Sequence, residues 1–229
     1  MGPRRSRKTE LLKAAEQLFA DRGYHGATIR DITAAAKVPL GLATYHFGSK
    51  EGLYEAVLRR REPELISSLD GSLSQLLKRK PEPTTDELIE AFLTPHVRLV
   101  HADEGWRNYM RILYQLAGFD DRNRRGALLF ESFQEVMGRY VAVLGQTLPG
   151  CDPVQIRRSL ILVRMLQISF SAEGLGGRAA FDSDRLPLNL LPAVVRFCAA
   201  GFRAALGPEA VANVAMTLPA EAKLRRRAS

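Results

Sequence analysis

At 229 residues the chain is long enough to bury a sizeable core, as one domain or two small ones. Its two cysteines, Cys151 and Cys198, are too few for a disulfide scaffold, and no apolar run reaches the length of a secretion signal or a membrane span, so a cytoplasmic protein with reduced thiols and no membrane partner is expected. The formal charge of +8 sits at the ends: residues 1–61 carry 12 basic and 6 acidic side chains, residues 221–229 carry 4 and 1, and the 159 between net −1, which points to a nucleic-acid partner for the amino-terminal part.

Arg4, Arg5, Arg7 and Lys8 have little hydrophobic company and predict a basic arm ahead of the first helix, able to lie along phosphates or enter a minor groove, or else to serve as a solubility tail. Gly23 and Gly26 stop that first helix. The Thr28 hydroxyl is placed to cap a second helix starting at Ile29, with Asp31 at the capping-box spacing, and Ile29, Ile32, Ala35 and Ala36 give it one apolar face. Val38 and Pro39 end it. Proline disfavours helix in the residue before it and suits the start of a new one, so a third helix is expected over 40–47. Gly41 leaves one flank of that helix bare for close approach to a phosphate, while Thr44, Tyr45 and His46 supply donors and acceptors for sugar-phosphate oxygens or base edges. Gly48 and Ser49 break the chain again before Lys50, where the free amides of a new helix and the ammonium form a phosphate site. Two short helices about a tight turn, with hydroxyl, aromatic and imidazole groups crowded on the second, predict a DNA-reading helix-turn-helix. The expected DNA contacts are Thr28, Arg30, Pro39, Leu40, Gly41, Ala43, Thr44, Tyr45, His46 and Lys50.

Beyond Lys50 the pattern is helical, with no period-two strand runs and no internal repeat. A long helix over 50–79 buries Leu53, Val57, Leu65, Leu69, Leu73, Leu76 and Leu77, with Pro63 expected to kink or divide it. After the break at 81–85 come helices near 86–101, bent at Pro95, then 106–117 and 123–147, the last with an apolar stripe through Leu129, Phe133, Val136, Met137, Tyr140 and Leu144. Asp152, Pro153 and Gln155 mark the start of a helix reaching about 172. Glycines 174, 176 and 177 begin a loop to about 187, and a final core helix covers about 190–206. The sum is an all-α fold of about nine or ten helices.

The residues of the helix-turn-helix resemble the TetR-type (tetracycline-repressor-like) bacterial transcriptional regulators. Thr28, Ile29, Ile32, Ala36, Val38, Gly41, Tyr45, His46, Phe47, Ser49, Lys50 and Leu53 carry the likeness, which extends upstream through Ala14, Ala15, Leu18, Phe19 and Gly23. Thr33 stands where that family usually has alanine, and Thr44 where an aromatic is frequent, which leaves the operator sequence open. The resemblance implies a DNA-binding domain with its basic arm over 1–49, an effector-binding and dimerisation domain over 50–220, and a basic tail over 221–229. It also implies that helices 153–172 and 190–206 pair with their copies in a homodimer, which suits recognition of two half-sites in double-stranded operator DNA.

An apolar effector cavity between the middle helices is expected from Trp106, Tyr109, Met110, Leu113, Phe130, Phe133, Met137, Met165 and Phe170, although core packing explains each of them too. Arg98, His101, Arg111, Arg164 and Gln167 lie in otherwise apolar helices and are candidates to anchor an anionic head group, or to sit at the surface or in a dimer ion pair. The stretch from Trp106 through Met137 is similar to a subgroup that includes fatty-acid-responsive members, which implies a long-chain acyl effector ahead of an aromatic one. The four histidines form no H-E-x-x-H pair, and there is no Cys-x-x-Cys, no G-x-S-x-G elbow and no dinucleotide fingerprint. No enzyme activity, cofactor or metal is therefore expected. The reading is a ligand-responsive repressor released from DNA by a small hydrophobic effector; an architectural DNA-binding protein and a helical partner-binding module remain the alternatives.

Overall fold

The computed structural model describes residues 6–118, 132–171 and 188–206. Among these the chain forms nine α-helices: α1 Arg7–Gly26, α2 Ile29–Ala35, α3 Leu40–Phe47, α4 Lys50–Arg79, α5 Thr85–Ala102, α6 Glu104–Gly118, α7 Gln134–Thr147, α8 Pro153–Ser171 and α9 Leu191–Leu206, the last entered through a 3-10 turn at Leu188–Leu190. The all-α class and the helix order expected from the sequence hold.

Local signals set the first three helices. The Thr28 hydroxyl accepts the Asp31 amide at 3.1 Å and donates to the Asp31 carboxylate at 2.7 Å, so the cap is reciprocal. Gly23 interrupts the last turn of α1 with a φ of +69°, a conformation an L side chain resists. Pro39 is the cap of α3, with φ −60° and ψ 143°, and Gly48 closes that helix at φ +72°. The Ser49 hydroxyl then caps α4 by accepting the Gly52 amide at 3.1 Å. Thr33 is buried without cost because its hydroxyl donates back to the carbonyls of Ile29 and Arg30, at 2.9 and 3.1 Å.

One expectation fails at the amino terminus. Arg7 and Lys8 are not part of an arm: they form the first turn of α1, started by the Ser6 carbonyl, which accepts the amides of Thr9 and Glu10 at 2.8 and 3.1 Å. Arg4, Arg5, the segment 119–131, the loop 172–187 and everything after residue 206 lie outside the described residues.

Pro63 does not divide α4, and α5 likewise runs on through Pro95. A proline inside a helix costs about 3 kcal/mol. Fully burying a leucine or valine side chain returns about 1.5–3 kcal/mol, and α4 buries Leu53, Val57, Leu65, Leu69 and Leu73 completely, so packing outweighs the lost hydrogen bond. The start of α5 is sharper than expected: Thr84 and Glu87 form a full capping box, with the Glu87 carboxylate accepting the Thr84 amide at 2.8 Å and the Thr84 hydroxyl accepting the Glu87 amide at 3.3 Å.

The core is continuous from Leu11 in α1 to Leu206 in α9. Helix α1 packs on α2, α4 and α6, α3 packs on α2 and α4, and α4 continues against α5 and α7. In the body α5 touches α6, α7, α8 and α9, while α8 also packs on α6, α7 and α9. Tyr140 is the polar pin of this body, with its hydroxyl 3.0 Å from the carbonyls of both Leu69 in α4 and Ala91 in α5.

Candidate nucleic-acid interface and ligand-binding body

Most of the residues expected to touch DNA are exposed. Thr28, Arg30, Pro39, Leu40, Gly41, Thr44 and Tyr45 are exposed, and His46 is half-buried. Tyr45 keeps 81% of its surface exposed and Leu40 47%, which a helix this short does not do with large side chains unless packing leaves that face free. Nothing lies within 4 Å of where a side chain at Gly41 would stand, so the bare flank is open. Ala43 departs from the set: it is 2% exposed and its methyl packs into the core, which seats α3 on its neighbours. Lys50 sits at the amino terminus of α4 with its ammonium 3.5 Å from the His25 carbonyl and 4.6 Å from the centre of the Tyr24 ring. That ammonium ties the end of α1 to the start of α4, just after α3 in the chain.

Behind this surface the head is fastened to the body by charge. Glu16 of α1 is 3% exposed and accepts two hydrogen bonds from Arg61 of α4, at 2.9 and 3.1 Å, with Arg60 at 3.6 Å. Burial would lower the Arg61 guanidinium, but hydrogen bonding and attraction to Glu16, with Asp103 and Glu64 adding to it, hold it above its ordinary value. Arg61 also lies 3.4 Å from Asp103 and over the Trp106 ring, 4.9 Å from its centre. Helix α6 is stitched to α1 by further bonds: Asn108 donates to Gln17 at 2.6 Å, Arg111 to Asp21 at 3.4 Å and Gln115 to the Ala20 carbonyl at 2.8 Å. The face of α6 turned towards α1 thus carries polar bonds around the buried Ile112, while Trp106, Tyr109, Met110 and Leu113 on the same helix are buried in the body.

Of the residues expected to meet an effector, Trp106, Tyr109, Met110, Leu113, Phe133 and Met137 come together as tightly buried core. Arg98 is exposed and leaves the set, and Arg111 is engaged with α1. Phe130 and the side chains of Gln167 and Phe170 lie outside the described residues. Arg164 is half-buried, with its guanidinium carbon 5.2 Å from the Phe92 ring centre and 5.1 Å from that of Phe133, and it donates to Nε2 of His96. Burial, and then the Arg164 charge, push the His96 imidazole well below its ordinary value, so the ring is neutral at pH 7. Burial also raises the Tyr109 and Tyr140 hydroxyls, which stay protonated. Phe92 and His96 went unrecognised in the sequence, although their four-residue spacing places both on the buried face of α5. Among the described residues a separate open cleft of about 840 Å³ lies between α4 and α7, lined in part by Glu62, Ile66, Asp70 and Arg139; none of the expected effector residues borders it.

Residues 11–57 match the bacterial regulatory proteins of the tetR family, and residues 90–201 match the tetracyclin repressor-like C-terminal domain. The chain belongs to the TetR family. Similar TetR-family relatives include the HTH-type transcriptional repressor KstR2 of Mycolicibacterium smegmatis, 34% identical over 110 residues, which is 48% of this chain and 49% of that protein. The HTH-type transcriptional activator FasR of the same species is 42% identical over 71 residues, covering 31% of this chain and 32% of FasR. The chain thus spans about half the length of the first of these curated relatives and less of the second. Likeness over most of the length is structural: the ketosteroid transcriptional regulator KstR2 of Mycobacterium tuberculosis aligns with a TM-score of 0.58 at 18% identity, covering 88% of this chain and 95% of that one. The fold is that of a TetR regulator, a helix-turn-helix head on a helical body. Among the described residues no helix is long and apolar enough to cross a membrane.

Proposed function

We propose that this TetR-family chain is a ligand-responsive transcriptional repressor, acting in the cytoplasm, which binds a near-palindromic operator as a homodimer and leaves it when a small hydrophobic effector, long-chain acyl or aromatic, enters the body. The observation that carries the reading is the outward face of α3, where Leu40, Gly41, Thr44 and Tyr45 are exposed beside Arg30 and Thr28. Such a face fits a major groove, with Pro39 and His46 at its ends and Lys50 on a flanking phosphate. A division into a head over 1–49, a body over 50–220 and a basic tail over 221–229 accompanies this reading.

Dimerisation is supported by the outer faces of α8 and α9. Val154, Leu162 and Phe197 are 51%, 69% and 71% exposed, and α9 adds Ala193, Ala200 and Ala204 along the same side. Four such helices, two from each copy, bury these faces together. Repression is chosen because the relative that covers more of the chain is named a repressor, while FasR is named an activator. Release follows from α6, which carries the buried aromatics on one face and the bonds to α1 on the other: an effector that shifts α6 moves the head and changes the spacing of the two reading helices. By linkage, operator must weaken effector binding by the same factor.

The test is selection of duplexes from a random pool by the purified dimer, followed by titration at several salt concentrations. A two-fold symmetric site with half-sites about one helical turn, ~34 Å, apart is the expected result. Equal binding to every duplex, varying only with salt, would replace this reading with architectural DNA binding.

A further inference from the structure

Arg164 is a cation placed among groups that cannot neutralise it. Its neighbours are the rings of Phe92 and Phe133 and the neutral imidazole of His96, and among the described residues no carboxylate pairs with it. The buried Tyr109 hydroxyl acts on the same guanidinium and has no hydrogen-bond partner of its own. Burial lowers the guanidinium to about 10, which still leaves it charged at pH 7. A charge held in apolar surroundings without a counter-ion is costly, and the cost falls when an anion arrives. Arg164 is half-buried as a residue, with its guanidinium at the enclosed end of the side chain.

We propose that the effector is a hydrophobic molecule bearing one anionic head group, and that Arg164 receives that group. The aromatic faces of Phe92 and Phe133 hold the fork of the guanidinium, and His96 fixes its orientation by accepting one N–H and leaving others to face the anion. The Tyr109 hydroxyl is the neutral donor available to the same group. The inference rests on the effector reading above and narrows it: neutral and cationic hydrophobes are disfavoured, because a neutral group leaves Arg164 unpaired and a cation adds repulsion.

Two fluorescent probes separate these statements: anilinonaphthalene sulfonate, and phenylnaphthylamine, which has the same ring system without the sulfonate. Both are titrated into the full-length protein while the emission of Trp106, the one tryptophan in the sequence, is followed as an energy donor. The sulfonate probe is expected to bind about ten- to a hundredfold tighter than the neutral one, the range for charge-assisted hydrogen bonds. In Arg164→Gln that preference should vanish while the neutral probe binds as before, which also shows that the variant is folded; Arg164→Lys should restore part of it. Equal affinity for both probes, or a preference that survives Arg164→Gln, overturns the anion inference and leaves a hydrophobic effector standing. If neither probe quenches Trp106, the effector reading of the body fails as well.

Discussion

The clamp between Glu16 and Arg61 makes a quantitative prediction about how the head is held. Arg61→Met leaves the Glu16 carboxylate, 3% exposed, with Arg60 at 3.6 Å as its remaining partner. Removing one member of a buried ion pair costs about 3–5 kcal/mol; the nearby Arg60 puts the expectation at the lower end, about 3 kcal/mol. For a chain of this size that is a fall of about 6–12 °C in Tm. Glu16→Gln alone should also destabilise, because Arg61 then keeps Asp103, the Trp106 face and the more weakly acting Glu64 but no buried carboxylate. The double variant removes both charges, so it should be more stable than the sum of the single losses implies, with a coupling of about 0.5–3 kcal/mol. The cycle is read by urea unfolding of the four proteins, with operator affinity measured in parallel. Additive losses, within about 0.5 kcal/mol, would refute the clamp as an energetic link between head and body.

A methyl at Gly52 would overlap the Phe47 carbonyl oxygen, so Gly52→Ala should destabilise the head by about 1–3 kcal/mol and weaken operator binding, measured by thermal unfolding and fluorescence anisotropy. Tyr45→Ala, at a residue 81% exposed, should instead leave Tm within about 2 °C and weaken operator binding at least tenfold; unchanged affinity would remove α3 from the interface. The Glu87 carboxyl is lowered from 4.5 to about 2, first by the Thr84 amide and then by Lys80, so its contribution is complete above pH 4.5 and is lost as pH falls towards 2. Acid unfolding of Glu87→Gln should lack that loss and otherwise follow the parent protein. Leu162→Glu with Phe197→Glu should convert the dimer to monomer in sedimentation while preserving helicity.

The head was legible because its instructions are local. Thr28 with Asp31, Pro39, Gly48 and Ser49 each act within four residues, and hydroxyl, proline and glycine chemistry at those places has few alternatives. The clamp was not legible, since Glu16 and Arg61 are 45 residues apart and each looks like an ordinary surface charge on an amphipathic helix. The same holds for His96 and Arg164, 68 residues apart. Pro63 misled in the opposite direction as a possible break: its local effect is real, but the flanking apolar residues that carry α4 through it declare themselves only when the helix packs, and α5 likewise continues through Pro95. Ala43 reads as a small outward residue until the closeness of α3 to its neighbours is seen.

Lys50 bridging from the first turn of α4 to the His25 carbonyl and the Tyr24 ring has a bearing on control. With Tyr54 of α4 edge-on to both Phe19 and Tyr24 of α1 at the same junction, the end of α1 and the start of α4 are held together, and α2 and α3 pack between and against them. On the function proposed above, an inducer would then alter the gap and tilt between the two heads of a dimer, while each head would keep its preference for the same short run of bases. Changing letters within a half-site and adding inducer should multiply rather than interact, whereas inserting a single base pair between half-sites should change how much inducer is needed.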